Sequence, residues 1–190
     1  MNNEDYDIKI FSPIKPASQA EPVVLADEMK RQVISGNLQK ANRLGKIIAD
    51  SFHEAAEKEE LWNMAKCCGL SDIDRRIKDQ AIILSVFTAE YALNTFLHDP
   101  ILSTTAISNL YDTLTEDSPE LYNNLLASTA FSFYYMNINL KDVDADVIGK
   151  TFAVLCDDDD NETLFCYGKN VFVTSLENYR KAIGCVDFSQ

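Results

Sequence analysis

The sequence contains few residues of the kinds that build disulfide frameworks and metal sites. Its 190 residues include five cysteines and two histidines, and no two cysteines are spaced as CxxC. Disulfide-rich domains and zinc knuckles need paired, regularly spaced thiols, so this sequence favours neither. We therefore expect reduced cysteines that pack as small hydrophobic residues.

Several other features of common protein classes are also missing. The six glycines form no phosphate-binding loop, and no serine lies in a nucleophile elbow. The chain has no apolar run long enough to cross a bilayer, and its first residues lack the charged, apolar and small-residue order of a secretion signal. We expect a cytoplasmic protein with no membrane attachment and no cofactor.

Positive charge is scarce over much of the chain. The net charge is −13, and no Lys or Arg lies between Asp79 and Leu140. Residues 1–78 carry 12 basic against 13 acidic side chains, whereas residues 79–190 carry 5 against 17. Such a surface repels phosphate backbones, so we expect no nucleic-acid binding. It attracts basic proteins and peptides.

The apolar residues that are present follow a helical period over most of the chain. The apolar content of 46% and the charged content of 25% are typical of a folded globular protein. We predict an all-α single domain over residues 21–190, a bundle of about six or seven helices, preceded by an extended arm over residues 1–20. Ile8, Ile10 and Phe11 are the residues of the arm expected to anchor it.

The individual helices are predicted from apolar spacing and from capping signals. The segment after Asp72 becomes apolar on most sides, which indicates a central helix with neighbours on several faces. Its expected cap is Ser71 or Asp72. Helical patterns cover approximately residues 21–35, 41–62, 72–98, 101–114, 119–140 and 143–155.

The last forty residues allow two interpretations. The stretches TFAVLC, TLFCYG and NVFVTS have the composition of three short strands, while their apolar residues also recur at three- and four-residue spacing. Because the preceding segments are helical and connections between helices are short, we favour helix.

Four consecutive aspartates, in the stretch CDDDDNE at 156–162, are the most unusual local feature. A calcium loop starting at Asp157 would need glycine at its sixth position and glutamate at its twelfth, but Glu162 and Gly168 stand there. Asp158, Asp159 and Glu162 resemble the acidic magnesium motif of isoprenoid and terpene synthases over five residues. The simplest interpretation is that Asp160 or Asn161 caps a following helix.

A pair of residues at a predicted helix end suggests a metal site. His98-Asp99 resembles the paired histidine and aspartate of the HD-type metal phosphohydrolases, which are all-helical and use a further His and a further Asp as ligands. The resemblance implies His53 as the further histidine and Asp112 or Asp117 as the last ligand. On the predicted helix, His53 lies on the solvated side, whereas ligands inside a bundle point inward.

Four aromatic residues lie within five positions: Phe131, Phe133, Tyr134 and Tyr135. On a helix, side chains this close together point in most directions, so they cannot all face one core. Some of them are candidates for a ligand pocket or an interface, where tyrosine is common. The alternative is ordinary packing between several helices.

Taken together, these features favour a non-catalytic protein-interaction or regulatory module over an enzyme. Its expected partner is another protein, with basic partners preferred, or a second copy in a homodimer. The first alternative is a metal-dependent HD-type phosphohydrolase that uses His53, His98 and Asp99. The second is a carrier of a small apolar ligand near residues 131–135.

Overall fold

The computed structural model describes residues 22–52, 55–71, 73–138 and 143–189, which contain nine helices and no β-strand. The predicted all-α class is therefore confirmed, as is the helical interpretation of the last forty residues. The predicted arm over residues 1–20, with Ile8, Ile10 and Phe11, lies outside the described residues. The helices are α1 (Pro22–Ile34), α2 (Asn37–Ser51), α3 (Ala55–Cys67), α4 (Arg75–Phe96), α5 (Pro100–Asp117), α6 (Pro119–Ala127), α7 (Ala130–Asn137), α8 (Ala145–Leu155) and α9 (Glu162–Gly184).

The helix α4 is the central one, as its composition predicts. Every residue from Ile83 to Ala89 is buried, and the helix packs against α5, α7, α8 and α9. The hydroxyl of Ser85 lies 3.0 Å from the Tyr179 hydroxyl of α9, so the polar groups at this contact satisfy one another. The helix starts later than predicted because Asp74, rather than Ser71 or Asp72, accepts a hydrogen bond from the amide of Ile77.

Two helix pairs approach closely because a glycine lies at each crossing. A Cβ atom on Gly45 of α2 would lie 2.1 Å from the carbonyl oxygen of Ala106 on α5. A Cβ atom on Gly168 of α9 would lie 2.4 Å from the Cβ of Phe152 on α8. The backbones of α2 and α5 can therefore meet at Gly45 because this residue has no side chain. At Gly168 the missing side chain leaves room for Phe152 to pack against the backbone of α9.

Two segments predicted as single helices are each broken into two. Residues 41–62 divide into α2, which packs on α5, and α3, which packs on α9. Residues 119–140 divide into α6 and α7 because Ser128 is extended, with φ −86° and ψ 136°. These two breaks account for the difference between the seven helical segments of the sequence and the nine helices observed.

The helices α2 to α9 share one hydrophobic core, and none of the described helices is both long and apolar enough to cross a membrane. The helix α1 leaves several of its apolar side chains exposed to solvent. It exposes Leu25, Met29 and Val33 by 55%, 53% and 60%.

Candidate interaction site

Three of the four clustered aromatic residues pack around one phenylalanine of α4. The ring centroids of Phe131, Tyr134 and Tyr135 lie 5.5, 4.9 and 5.1 Å from that of Phe87. Phe87 and Tyr134 are fully buried. Tyr134 thus lies in the core and Phe131 packs on it, in the arrangement expected from ordinary packing between helices, whereas Tyr135 touches Phe87 with its ring but remains 42% exposed.

A partly buried carboxylate holds α7 and α5 against α4. The Tyr111 hydroxyl donates to Oε2 of Glu90, and the Tyr135 hydroxyl donates to Oε1 of the same side chain. Burial, followed by the negative charge of Glu90, raises the pKa of both tyrosines above its ordinary value. The sequence analysis did not predict this group. Glu90 is the one charged residue between Asp79 and Asp99, and this isolation in an apolar segment is the signal that would have identified it.

The fourth aromatic residue, Phe133, points away from the core. Its exposed fraction is 44%, and that of Met136, one turn later on the same face of α7, is 82%. On α8, Val154 is 50% exposed. We call these three residues the α7–α8 surface.

Contacts between α7 and α8 show how the two helices run relative to each other. The Asn137 side-chain amide donates to the Thr151 hydroxyl at 3.0 Å, while Tyr134 lies beside Cys156. Residue numbers therefore rise along α7 as they fall along α8, so the helices run antiparallel. Phe133 lies one turn before Asn137 and Val154 one turn after Thr151, which brings both to the same end of the α7–α8 contact.

The aspartate run begins at that end, where α8 stops. The Asp157 amide donates to the Val154 carbonyl at 2.9 Å, and the Asp158 amide donates to the Ala153 carbonyl at 3.1 Å. This is a Schellman motif, and Asp157 occupies its left-handed position with φ 58°. The Arg76 guanidinium of α4 pairs with the Asp157 carboxylate.

The rest of the run leads into α9. The side-chain oxygen of Asn161 accepts hydrogen bonds from the amides of Thr163 and Leu164 at 3.0 and 3.1 Å. Asn161 is thus the cap, which confirms one of the two residues predicted for that role, and Asp160 is not. All four aspartates are exposed, so they form an acidic border beside Val154.

The structure describes some, but not all, of the residues in the HD-type interpretation. His98 is exposed between α4 and α5, and His53 lies outside the described residues. Oδ1 of Asp99 accepts from the amide of Ile101 at 2.8 Å, and its Oδ2 accepts from the side-chain amide of Gln32 at 2.6 Å. Asp99 is therefore engaged as the cap of α5 and as an anchor for α1.

The remaining acidic candidates are not gathered at His98. Asp112 and Asp117 are exposed on α5, and Oδ2 of Asp117 lies 3.8 Å from the Lys46 ammonium. Among residues 22–52, 55–71, 73–138 and 143–189, no three His, Cys, Asp or Glu side chains are arranged to hold a metal ion. The metal-site interpretation stays a prediction, since it needs His53.

A groove of about 470 Å³ lies between the start of α4 and the end of α6, lined by Arg75, Arg76, Gln80 and Asn124 among others. None of the four clustered aromatic residues lines it. It is open to solvent, whereas carriers of small ligands enclose most of the ligand surface. The carrier interpretation, which was based on the aromatic residues, also stays a prediction.

The exposed apolar stripe of α1 differs from the α7–α8 surface in its charges. Lys30 pairs with Asp27 at 3.5 Å, and Arg31 pairs with Glu28 at 2.7 Å, so positive and negative side chains balance each other on α1. Residues 1–21 precede this stripe and lie outside the described part of the chain. The α7–α8 surface, with its acidic border, is therefore the better-defined candidate.

Comparison with known proteins gives this surface no assigned role. No protein-family model, no curated protein and no solved structure matches the chain.

Proposed function

We propose that this protein is a non-catalytic interaction module that binds a basic amphipathic segment of another protein on the α7–α8 surface. The observation that carries the proposal is that three exposed apolar side chains, Phe133, Met136 and Val154, lie on two antiparallel helices, and that four exposed aspartates follow directly after the helix that carries Val154. The partner segment would pack its apolar face against the α7–α8 surface, and its Lys or Arg side chains would pair with the aspartates.

The apolar part supplies the binding free energy in this proposal. Burying apolar surface contributes about 25 cal/mol for each Å² removed from water. Aromatic residues are enriched among interface hot spots, and the flexible methionine adapts to differently shaped partners. Phe133 has a second advantage, because α7 is anchored to the core by its other three rings and so presents Phe133 on a fixed support.

The charged part supplies selectivity. The aspartates at 157–160 attract Lys and Arg, and the absence of basic residues between Asp79 and Leu140 leaves α5 to α7 without cations. Arg76 at the start of α4 already pairs with Asp157, so a partner would meet chiefly Asp158, Asp159 and Asp160. Lys150, one turn before Val154 on α8, places one cation at the opposite end of the surface. A second copy of the chain brings the same four aspartates, so like charges disfavour a homodimer through this surface.

The wider features of the proposal follow from composition. The helices would form one bundle domain over residues 21–190 of an acidic cytoplasmic protein, without a cofactor. A net charge of −13 opposes binding to nucleic acids and to anionic membrane surfaces.

A designed peptide tests the proposal directly. We would measure, by fluorescence anisotropy, the binding of a labelled amphipathic helix built from leucine and lysine. We expect saturable binding that weakens as salt is added, because salt screens the aspartates. The double variant Phe133→Ser/Met136→Ser should weaken binding at least about tenfold, which corresponds to a loss of about 1.4 kcal/mol.

Two matched controls make the result specific. Ile34→Ser removes an apolar side chain that is 86% exposed on α1, away from the surface, and should leave the affinity unchanged. A peptide of the same composition in scrambled order keeps its charge but loses its apolar face, and should bind weakly. Equal binding of both peptides, or an equal loss in Ile34→Ser, would show that attraction is unspecific and would refute the proposal.

A further inference from the structure

The end of α3 and the first turns of α9 bring two cysteines together. Cys68 follows the last residue of α3, and Cys166 lies on the first turns of α9. The side-chain amide of Asn170, one turn after Cys166, donates to both sulfur atoms, at 3.3 Å to Cys68 and 3.7 Å to Cys166. Both thiols are free and partly exposed, so reagents from solution reach them.

The surroundings of Cys68 act on its ionisation in opposite directions. Burial raises the pKa of the Cys68 thiol, the Asn170 hydrogen bond lowers it, and hydrogen bonding with Cys166 raises it again. The neutral thiol is therefore favoured at rest. At Cys68 the Asn170 hydrogen bond is the feature that favours the thiolate, and the same amide also contacts the Cys166 sulfur.

We propose that Cys68 and Cys166 are a dithiol redox site that closes to an intramolecular disulfide between α3 and α9. With hydrogen peroxide as oxidant, one thiol loses its proton and the thiolate attacks an oxygen atom. The O–O bond breaks, the departing hydroxide takes up the proton, and a sulfenic acid and water form. The second thiolate then displaces hydroxide from the sulfenic sulfur, which yields the disulfide and a second water. Two thiols lose two protons and two electrons, and the peroxide is reduced to water.

The position of the pair gives this reaction a structural consequence. The helix α3 is bounded by residues 53–54, outside the described part, and by Gly69, whose left-handed backbone ends the helix with φ 90°. Its packing partner is α9. A disulfide there would fix α3 to the core and close a long loop through α4 to α8, which restricts the unfolded chain.

Peptide mapping tests the proposal. We would oxidise the purified full chain with hydrogen peroxide, block remaining thiols, and digest with trypsin and with a protease that cleaves at aspartate. Cleavage in the aspartate run separates Cys166 from Cys156. We expect a linked pair of peptides that contain Cys68 and Cys166, a mass lower by two hydrogen atoms, and reversal by dithiothreitol.

Because Cys67 and Cys68 are adjacent, variants must assign the bond. Cys68→Ser and Cys166→Ser should each abolish the linked peptide, while Cys67→Ser and Cys185→Ser should retain it. Circular dichroism of each variant checks that it is folded. Retention of the link in folded Cys68→Ser would assign it to Cys67 and overturn the proposal, and so would oxidation of the wild type that gives only intermolecular dimers or sulfinic acids.

Discussion

At the scale of single residues, the start of α9 depends on one amide side chain. Asn161 accepts hydrogen bonds from two amides of the first turn that no helical carbonyl satisfies. We predict that Asn161→Ala lowers the free energy of unfolding by about 1 kcal/mol. Urea denaturation followed by circular dichroism measures this loss.

The neighbouring aspartate is the matched control for the cap. Asp160 is exposed and is not the cap, so Asp160→Ala should change stability by less than about 0.5 kcal/mol. Equal losses in the two variants would mean that general acidity near the helix start, rather than the cap, supports α9.

The aspartate run also illustrates what a sequence reveals about single residues. Its capping role was predictable, because Asn and Asp before an apolar helical pattern are the usual caps. The left-handed conformation of Asp157 was not predictable, because glycine is the residue that normally takes this position and no glycine lies there.

At the scale of helices, the crossing of α2 with α5 depends on the absence of a side chain. Since a Cβ atom on Gly45 would lie 2.1 Å from a backbone oxygen of Ala106, neither partner can move aside by a rotamer change. We predict that Gly45→Ala lowers the free energy of unfolding by about 3 kcal/mol, at the upper end of overpacking costs. Thermal and urea denaturation both measure this loss.

Gly184 provides the opposite case on α9. A Cβ atom there would meet nothing within 4 Å. Gly184→Ala should therefore raise stability by about 0.5 kcal/mol, since alanine restricts the unfolded chain. If Gly45→Ala proved as mild as Gly184→Ala, the two helices would not be in backbone contact.

The helical character of the segments was predictable from the sequence, whereas the positions at which helices break were not. Apolar spacing identified α4 as central because its apolar residues cover every side over Ile83–Ala89. The breaks before α3 and after α6 lie within continuous apolar patterns. They occur because the two halves of each segment pack on different neighbours. Periodicity in one chain does not report such a change of partner.

At the scale of the whole molecule, the candidate site was predictable only in its parts. The aromatic cluster and the acidic run were both visible in the sequence, but 20 or more residues separate them along the chain. Their meeting depends on the antiparallel contact of α7 with α8, recorded by Asn137 and Thr151. The division of the cluster into three rings that contact Phe87 and one that does not depends on the position of Phe87 on α4.

Several buried groups of the core must stay neutral for the protein to remain folded, and this sets its behaviour in alkali. Burial raises the pKa of the Cys156 thiol from 9.0 to about 12, and it also raises the pKa values of Tyr134 and Tyr167. Above about pH 9 the unfolded chain loses protons that the folded protein retains. The stability that these groups contribute should therefore be fully present below that pH and be lost progressively as the pH rises towards about 12.

Urea denaturation at a series of pH values from about 7 to about 11 measures this loss, and cysteine variants identify its source. Cys156→Ala removes one of the responsible groups, so its stability should fall less steeply with pH than that of the wild type. Cys185→Ala removes an exposed thiol and should keep the wild-type slope. A stability that stays constant to about pH 11 would contradict the prediction, because it would require the thiol and the two phenols to ionise as readily in the core as in water.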